Sequence, residues 1–253
     1  MRSVEGMSIV VTGGGSGIGE AAARHFVRLG ARVTICGRRH HKVEAVAASL
    51  GPACRAICAD VTIEADRLRL IEGAVGHGGG IDVLINNAGD MYRGPIETLD
   101  EQLLLNVFHT NVIGPMLLTG AAVDLLEARR GCVMFIGSVH TQRAFPGASP
   151  YAATKGALET LTAVLAAELG PRLIRVGCVR PGAVFTELNV RAGVSDTATA
   201  RARVEDLASA HALGRIGTGD EVAEALEYLA RSEWATGSVL TIDGGLGLGV
   251  TLA

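Results

Sequence analysis

The sequence predicts a doubly wound α/β fold, in which a parallel sheet of about seven strands carries helices on both faces. Short apolar segments alternate with amphipathic segments along the 253 residues, and a glycine-rich segment follows the first apolar one. Apolar residues make up 48% of the chain and charged residues 19%, which excludes a disordered chain and provides for a large core. We therefore expect a single domain over residues 1–253.

The strands are predicted in chain order from short aliphatic runs that end at glycine, proline or polar residues. The first strand covers Ser8 to Val11 and ends in TGGGSGIG, which runs from Thr12 to Gly19. The others are ARVTIC (31–36), CRAICA (54–59), IDVLIN (81–86), CVMFIG (132–137), LIRVGCV (173–179) and SVLTID (238–243). Helices are expected between them, at about 20–29, 41–50, 64–75, 101–129, 150–169 and 220–230.

Two helix starts are predicted from capping residues. Thr98 and Glu101 have the spacing of a capping box for the long helix that follows them. Ser149, which a proline follows, is expected to cap the helix at 150–169. The segment of residues 187–213 is rich in arginine and alanine and interrupts the alternation, so we expect a helical insertion there.

The charge balance indicates neither a nucleic-acid partner nor a membrane partner. The 26 acidic and 23 basic residues give a net charge of -3, which offers no attraction to an anionic polymer or bilayer. The uncharged stretch between Glu101 and Asp124 is long enough to cross a bilayer, but Asn106, His109 and Asn111 would be costly there. We expect this helix to be buried in the core or at a subunit interface.

Cysteine and histidine usage predicts neither a disulfide framework nor a metal site. The five cysteines are scattered, and the N-terminus MRSVEGMS has no apolar run typical of a signal peptide, so we expect a cytoplasmic protein. Cys54 and Cys58 would lie about 13 Å apart on one strand, too far for a disulfide, and both are expected in the core. The seven histidines show no metal-ligand spacing.

The segment from Thr12 to Gly19 predicts a phosphate-binding turn. Gly13, Gly17 and Gly19 give the spacing G-x-x-x-G-x-G between the first strand and the first helix. Glycines there let the backbone approach a pyrophosphate, and the helix N-terminus offers N–H groups to it. The alternative is that the glycines serve only a tight turn.

Tyr151 and Lys155 lie four residues apart near the start of a helix and share one face of it. The chain has three tyrosines and only two lysines, so random placement would produce this spacing with a chance of roughly 2%. An ammonium about 4 Å from the phenol would lower its pKa from about 10 to about 7, which suits a general acid/base. The alternative is a chance pair on a helix surface.

Two further polar residues are candidates for the same site. Ser138 follows the strand at 132–137, at the edge where open α/β sheets bind ligands, and could hold a substrate carbonyl oxygen. An ordinary turn serine is the alternative. Asn111 lies four residues before Pro115, whose missing N–H frees the Asn111 carbonyl to bind a water. Here a packing kink is the alternative.

Taken together, these residues resemble the short-chain dehydrogenases/reductases in their compact, single-domain, Rossmann-like form, and the resemblance covers nearly the whole chain. Two departures remove no functional group: Gly-Gly-Gly-Ser stands where Ala-Ser is frequent, and Pro115 is unusual. The resemblance rests on the order and spacing of TGGGSGIG, Asp60 with Val61, NNAG at 86–89, Asn111, Ser138, Tyr151 with Lys155, and the segment from Pro181 to Thr186.

The resemblance implies a role for each of these residues. Tyr151 would be the catalytic acid/base, Lys155 would lower its pKa and hold the nicotinamide ribose, and Ser138 would orient the substrate oxygen. The main chain of Asn111 would hold a water in a proton relay to the lysine. The cofactor would contact Gly13, Gly15, Ser16, Gly17, Ile18, Gly19, Asp60, Val61, Asn87, Ala88, Gly89, Tyr151, Lys155, Pro181, Gly182, Val184 and Thr186.

The end of the second strand predicts the choice of dinucleotide. NAD-specific sites usually place a carboxylate about 20 residues past the glycine loop, whereas a 2′-phosphate needs cationic donors. Gly37 stands at that place and is followed by Arg38 and Arg39, so NADP(H) is favoured over NAD(H). The alternative is that both arginines lie at the solvated start of a helix and bind no phosphate.

These features predict hydride transfer between a nicotinamide cofactor and a ketone or secondary alcohol, and a 3-oxoacyl thioester, a steroid and a small ketone are all compatible. The alternative is a dinucleotide-binding sensor, which would not need the four catalytic residues. A nucleotide-sugar epimerase or dehydratase is disfavoured, because such relatives generally carry a different glycine spacing and a longer C-terminal domain. The insertion would cover the substrate with Leu188, Val190, Val194, Leu207 and Leu213, while Arg191, Arg201 and Arg203 would face solvent.

The predicted helices at 101–129 and 150–169 carry more apolar surface than one domain needs to bury. Relatives in the family commonly pair these two helices across a two-fold axis. We therefore expect a homodimer or, in preference, a homotetramer.

Overall fold

Seven parallel strands form one sheet in the computed structural model, which describes residues 1–191 and 196–249. The strands are β1 (Ser8–Thr12), β2 (Arg32–Gly37), β3 (Cys54–Cys58), β4 (Val83–Asn86), β5 (Cys132–Ile136), β6 (Arg175–Pro181) and β7 (Ser238–Ile242). Their order across the sheet is β3-β2-β1-β4-β5-β6-β7, and each neighbouring pair is parallel. The predicted doubly wound α/β fold is thereby confirmed.

The chain changes its direction of travel across the sheet between β3 and β4. Strands β1 to β3 extend to one edge, and β4 then pairs with the free side of β1. Val11 pairs in register with Ile85, so the segments that follow these two strands leave the sheet side by side. In sheets of this kind a ligand crevice lies at the carboxyl ends of the strands at this switch point.

Helices pack on both faces of the sheet. One core cluster gathers around Phe26 and Leu226, and the cluster on the other face gathers around Leu118, Phe135 and Leu158. The helices are α1 (Gly17–Arg28), α2 (His40–Leu50), α3 (Glu64–Gly78), α4 (Glu101–Phe108), α5 (Gly114–Arg129), α6 (Ser149–Leu169), α7 (Glu187–Arg191), α8 (Thr197–Glu205) and α9 (Gly219–Arg231).

Both capping predictions are wrong. The N-cap of α4 is Asp100, whose side chain accepts a bond from a backbone N–H of the first turn at 2.8 Å. Thr98 belongs to a short 3₁₀ turn that precedes it, so no capping box forms with Glu101. Helix α6 begins at Ser149 itself, and its N-cap Ala148 has no side chain that could accept a bond. Here the proline in the first turn, not a capping serine, favours the start.

The uncharged segment forms a continuous helix from Glu101 to Arg129, in which a π-helical turn at His109–Ile113 joins α4 to α5. Pro115 lies in the first turn of α5. The interruption of the helix that this proline predicts is the wider π-helical turn just before α5. By length and hydropathy the helix could cross a membrane. One of its faces instead packs on the sheet through side chains such as Leu118 and Leu126.

The insertion after β6 is helical where the structure describes it, with α7, α8 and a 3₁₀ turn at Ala208–Ala210. Val194 lies outside the described residues, as does the side chain of Arg191. Cys54 is buried as predicted, but Cys58 is exposed. This cysteine ends β3, which is an edge strand of the sheet.

Candidate active site

A cleft of about 870 Å³ opens at the carboxyl ends of β1, β4 and β5. Gly19 and Asn111 do not line it; they support the loops that do. The predicted residues that line the cleft are Gly13, Gly15, Ser16, Gly17, Ile18, Arg38, Arg39, Asp60, Val61, Asn87, Ala88, Gly89, Ser138, Tyr151, Lys155, Pro181, Gly182, Val184 and Thr186.

The glycines of the loop after β1 are required by close packing. Gly13 and Gly17 have φ angles of +68° and +58°, which glycine adopts without strain. A Cβ at Gly13 would lie 2.9 Å from the Ala88 Cα, and a Cβ at Gly19 would lie 2.4 Å from the Gly13 carbonyl oxygen. The Nδ2 of Asn87 donates to that same carbonyl at 3.2 Å. The glycine loop and the loop after β4 therefore form one rigid wall of the cleft.

Helix α1 begins inside the glycine loop at Gly17, three residues before the predicted start. Its N-cap residue Ser16 makes no side-chain cap bond. The backbone N–H groups of the first turn are consequently free of a capping side chain and can donate to a phosphate. Thr12 Oγ1 accepts bonds from the N–H groups of Asn87 and Ala88 at 3.0 and 2.9 Å, which holds the opposite loop in place.

Helix α6 places Tyr151 and Lys155 on its buried face, where they are 7% and 4% exposed. The Lys155 Nζ lies 5.4 Å from the centroid of the Tyr151 ring. It also donates to the carbonyl of Ile136, the last residue of β5, at 2.8 Å. A phenol and an ammonium thus meet in the interior of the cleft wall.

Burial dominates the ionisation of this pair. It raises the pKa of Tyr151 to about 12, although a hydrogen bond from Ser138 acts in the opposite direction. Burial also lowers the pKa of Lys155 to about 8. The predicted lowering of the phenol pKa is therefore wrong for the chain alone, because desolvation of the phenolate outweighs the hydrogen bond that favours it. At neutral pH Tyr151 carries its proton.

Ser138 follows β5 and contacts a histidine that sequence reasoning missed. The Nδ1 of His140 lies 3.0 Å from the Ser138 Oγ, and the backbone N–H of His140 donates to the same oxygen at 3.3 Å. The histidine ring stacks on Phe145 at 4.2 Å and meets the Tyr151 ring edge-on at 5.2 Å. Burial and two nearby cations lower the pKa of His140 to about 4, so a neutral imidazole orients the serine.

Asn111 lies in the π-helical turn and is 1% exposed. Its Oδ1 accepts a bond from the Asp90 N–H at 2.7 Å, and its Nδ2 donates to the Asp90 carbonyl at 2.9 Å. The Nδ2 also donates to Thr154 Oγ1 at 3.0 Å. The sequence pointed to the main-chain carbonyl of Asn111, whereas these contacts show that the side chain ties the loop after β4 to α6.

The two arginines after β2 both line the cleft. The Arg38 guanidinium lies 4.0 Å from Asp60 and 3.8 Å from Asp90. Arg39 is 2.6 Å from the carboxylate of Glu187 in α7. Glu187 is a second charged residue that sequence reasoning missed, although it follows directly on the predicted Pro181–Thr186 segment.

The segment from Pro181 to Thr186 begins at the last residue of β6 and passes close to the glycine loop. A Cβ at Gly17 would lie 3.1 Å from the Thr186 Cβ. A Cβ at Gly182 would lie 2.7 Å from the Asp243 Cα, so the backbone there runs close to the segment after β7. The last side of the cleft is therefore built from loops that only the folded sheet brings together.

The insertion lines the cleft with only part of the predicted set. Leu188 and Leu207 line it, and so does Arg203, which was expected to face only solvent. Leu213 is 68% exposed and borders a separate cavity of about 280 Å³, while Val190 does not line the cleft. The guanidinium of Arg201 lies 4.3 Å above the ring of Phe185.

The lining fits a dinucleotide. The glycine cradle leaves no room for a Cβ at Gly13 or Gly19, and the first turn of α1 offers free donors to a pyrophosphate. The cations after β2 and the buried pair in α6 stand along the same cleft. In the described ranges, 1–191 and 196–249, no three His, Cys, Asp or Glu side chains come together in a way that could hold a metal ion.

The chain is similar to known oxidoreductases over nearly its whole length. A family model described as enoyl-(acyl carrier protein) reductase matches residues 13–247. An uncharacterized oxidoreductase of Methylorubrum extorquens is 37% identical over 253 residues, which cover 97% of this chain and 100% of that protein. The human 3-oxoacyl-[acyl-carrier-protein] reductase is 34% identical over 239 residues, which cover 94% of this chain and 97% of that protein.

A solved structure has the same fold. The 3-ketoacyl-(acyl-carrier-protein) reductase of Brucella melitensis, complexed with NADH, superimposes with a TM-score of 0.89 at 31% sequence identity. The match covers 97% of this chain and 100% of that chain.

Proposed function

The chain belongs to the short-chain dehydrogenase/reductase family, and we propose that it transfers hydride between a nicotinamide dinucleotide and a ketone or secondary alcohol. One observation carries the proposal: Ser138, Tyr151 and Lys155 are all buried at one cleft that also contains a glycine cradle. A protein that only sensed a dinucleotide would have no use for a buried phenol, ammonium and hydroxyl at one cleft.

The chain's own residues handle the proton and the substrate oxygen. A bound nicotinamide supplies or takes up the hydride. Because burial holds its pKa at about 12, Tyr151 retains a proton at neutral pH and donates it to the carbonyl oxygen in the reductive direction. Ser138 hydrogen-bonds the same oxygen. Lys155, with its charge 5.4 Å from the ring, stabilises the phenolate that remains.

The substrate side of the cleft supports an apolar carbonyl compound. Phe145, Leu188, Leu207 and Leu246 line it. Two of the similar proteins are named reductases of 3-oxoacyl groups on acyl carrier protein. A 3-oxoacyl thioester is therefore the first substrate class that we propose for this chain, ahead of steroids and small ketones.

We also propose that NADP(H) is preferred over NAD(H). Gly37 leaves the end of β2 without a carboxylate. The side chain of Arg38 is 52% exposed, and its two carboxylate contacts are as long as 3.8 and 4.0 Å, so it can turn to a 2′-phosphate. Such charge-assisted bonds are worth roughly 1.5 to 3 kcal/mol, or about 10- to 150-fold in discrimination.

The catalytic proposal is tested with a panel of ketones and 3-oxoacyl thioesters, followed by nicotinamide absorbance. Tyr151→Phe should lower kcat by about 100-fold or more, which is the usual scale for loss of a general acid. The Kd for NADPH should stay within about twofold, because the phenol is not a phosphate or adenine contact. Near wild-type turnover by this variant on a verified substrate would refute the mechanism.

The dinucleotide preference is tested by kcat/KM with NADPH and NADH. Arg38→Leu and Gly37→Asp/Arg38→Leu should both shift the preference toward NADH. The single variant is needed because a Cβ at Gly37 would lie 3.1 Å from Val43 Cγ1, so the double variant also strains its neighbour. A wild type that prefers NADH, or variants with unchanged preference, would show that Arg38 does not read the phosphate.

A further inference from the structure

The carboxylate of Glu187 forms ion pairs with two cations that line the cleft, Arg39 and Lys42. The Glu187 Oε2 lies 2.6 Å from the Arg39 Nη1, and its Oε1 accepts a bond from the Lys42 Nζ at 2.9 Å. The Arg39 Nη2 in turn donates to the Ser16 Oγ at 3.3 Å. These four residues are called the Glu187 cluster below.

The Glu187 cluster stands where a 2′-phosphate would be read. Arg39 follows the end of β2, the position from which the adenosine ribose is recognised in doubly wound folds. A Cβ at Gly15 would lie 3.1 Å from the Lys42 Cβ, so the lysine adjoins the glycine loop. Arg39 and Lys42 both line the cleft. The two cations are thus part of the dinucleotide site and not of a remote surface.

Glu187 is an anion in this arrangement. Partial burial works against its ionisation, but the contacts from Lys42 and Arg39 hold its pKa below the usual value. The side chains of all three residues are 36% to 41% exposed, and Arg39 and Lys42 line the cleft, so a ligand in the cleft can reach both cations. Arg38 differs, because its nearest carboxylates are 3.8 and 4.0 Å away.

A 2′-phosphate would compete with Glu187 for the same donors. A phosphate monoester carries about 1.5 to 2 negative charges and three acceptor oxygens, against one charge and two oxygens for a carboxylate. Arg39 and Lys42 cannot donate fully to both the Glu187 carboxylate and a 2′-phosphate. The carboxylate and the phosphate would also repel each other when both lie next to the same two cations. A ribose that carries only hydroxyls leaves the ion pairs intact.

We propose that Glu187 determines how strongly the chain discriminates between the two dinucleotides: it occupies Arg39 and Lys42, and it is displaced when NADP(H), but not NAD(H), binds. The inference rests on the NADP(H) preference proposed above and deepens it. Glu187 therefore weakens a preference that the cations alone would make stronger.

The test is the affinity of Glu187→Gln for NADPH and NADH, measured by nicotinamide fluorescence. The variant keeps the size of the side chain and removes its charge. We expect NADPH to bind about 3- to 30-fold more tightly, as for the loss of two partly exposed competing ion pairs, and the Kd for NADH to change by less than about twofold. Calorimetry with 2′,5′-ADP and 5′-ADP should give the same contrast without the nicotinamide.

Glu44→Gln is the matched control. Glu44 lies in α2, the helix that follows β2, is 53% exposed and pairs with His40 at 3.4 Å. The control changes the net charge by the same amount without touching the cluster. Arg39→Ala combined with Glu187→Gln should lose most of the gain, because the released cation is then missing.

The outcomes separate this inference from the proposal on which it rests. An NADPH affinity that is unchanged or weaker in Glu187→Gln, relative to Glu44→Gln, would overturn the inference and leave the preference standing. A wild type that binds NADH more tightly, with no effect of Arg38→Leu, would instead refute the preference. In that case a gain in affinity for 2′,5′-ADP would still identify Glu187 as the competing group.

Discussion

The buried Lys155 links the stability of the folded chain to pH. Burial lowers its pKa to about 8 from 10.5. Between these values the unfolded chain binds a proton that the folded chain does not, so the contribution of Lys155 to the free energy of unfolding rises with pH. Below pH 8 both states are protonated, and the full cost of burying the charge is present.

Lys155→Met removes this titration. We expect the free energy of unfolding of the wild type, relative to that of the variant, to rise by about 1 to 3 kcal/mol between about pH 7.5 and pH 10. Urea unfolding at a series of pH values measures it. The buried thiols of Cys36 and Cys54 have raised pKa values to which Lys155 does not contribute, so their effects on the two proteins cancel. A difference that stays flat with pH would contradict the prediction.

At this scale the sequence indicated which residues form the site but not their charge states. Tyr151 and Lys155 could be paired from their spacing, since residues four apart share a helix face. Their pKa values depend on how completely α6 is covered, which no local pattern reports. His140 was missed for the same reason: only the packing of its ring between Phe145 and Tyr151 shows that it orients Ser138.

At the scale of elements, the glycine loop is the feature most sensitive to one added methyl group. A Cβ at Gly19 would lie 2.4 Å from the Gly13 carbonyl oxygen and 2.5 Å from the Asn87 Nδ2. Gly19→Ala should therefore displace the loop, lower the free energy of unfolding by more than about 2 kcal/mol and weaken NADPH binding. Urea unfolding and nicotinamide fluorescence measure the two effects.

Gly76→Ala is the control for this substitution. Gly76 lies in α3, and its Cβ would meet only Arg55 Nη1, at 3.9 Å. In an exposed helix, alanine is favoured over glycine by about 0.5 to 1 kcal/mol, so this variant should be slightly more stable. Equal effects of the two substitutions would show that the close approach at Gly19 is unimportant.

The elements themselves were predictable, and their ends were less so. The strands could be located because each is a short aliphatic run that ends at a glycine, a proline or a polar residue. The start of α4 was predicted correctly, but its cap was assigned to the wrong residue, because Thr98 and Asp100 are both good caps and only the path of the chain selects Asp100. The π-helical turn before Pro115 likewise depends on how α5 packs against the sheet.

At the scale of the whole molecule, the parts of the site that could not be predicted are those that join distant segments. The order of the motifs identified one wall of the cleft, because each motif follows a strand of the same sheet. Lys42 and Glu187 are 145 residues apart, and neither belongs to a recognised motif. Their contact is visible only once β6 and the insertion are placed against α2.

A group of exposed apolar side chains lies on the helices at 101–129 and 149–169. Each of these side chains is 44% to 55% exposed: Leu103, Leu105, Ile113, Met116, Leu117 and Val164. Contiguous exposed apolar side chains of this kind are typical of subunit interfaces. We therefore expect a homotetramer, or a homodimer, in which α4, α5 and α6 pack against a second copy.

Light scattering coupled to size exclusion tests this assembly at micromolar concentration. Leu117→Glu, in α5, should reduce the mass of the particle, because a carboxylate buried at the interface loses its hydration without a partner. Leu68→Glu is the matched control, since Leu68 is 49% exposed but lies on a different helix, α3. The control should keep the wild-type mass. If the wild type is a stable monomer, or if both variants change the mass equally, then the exposed faces of α4, α5 and α6 do not form the interface.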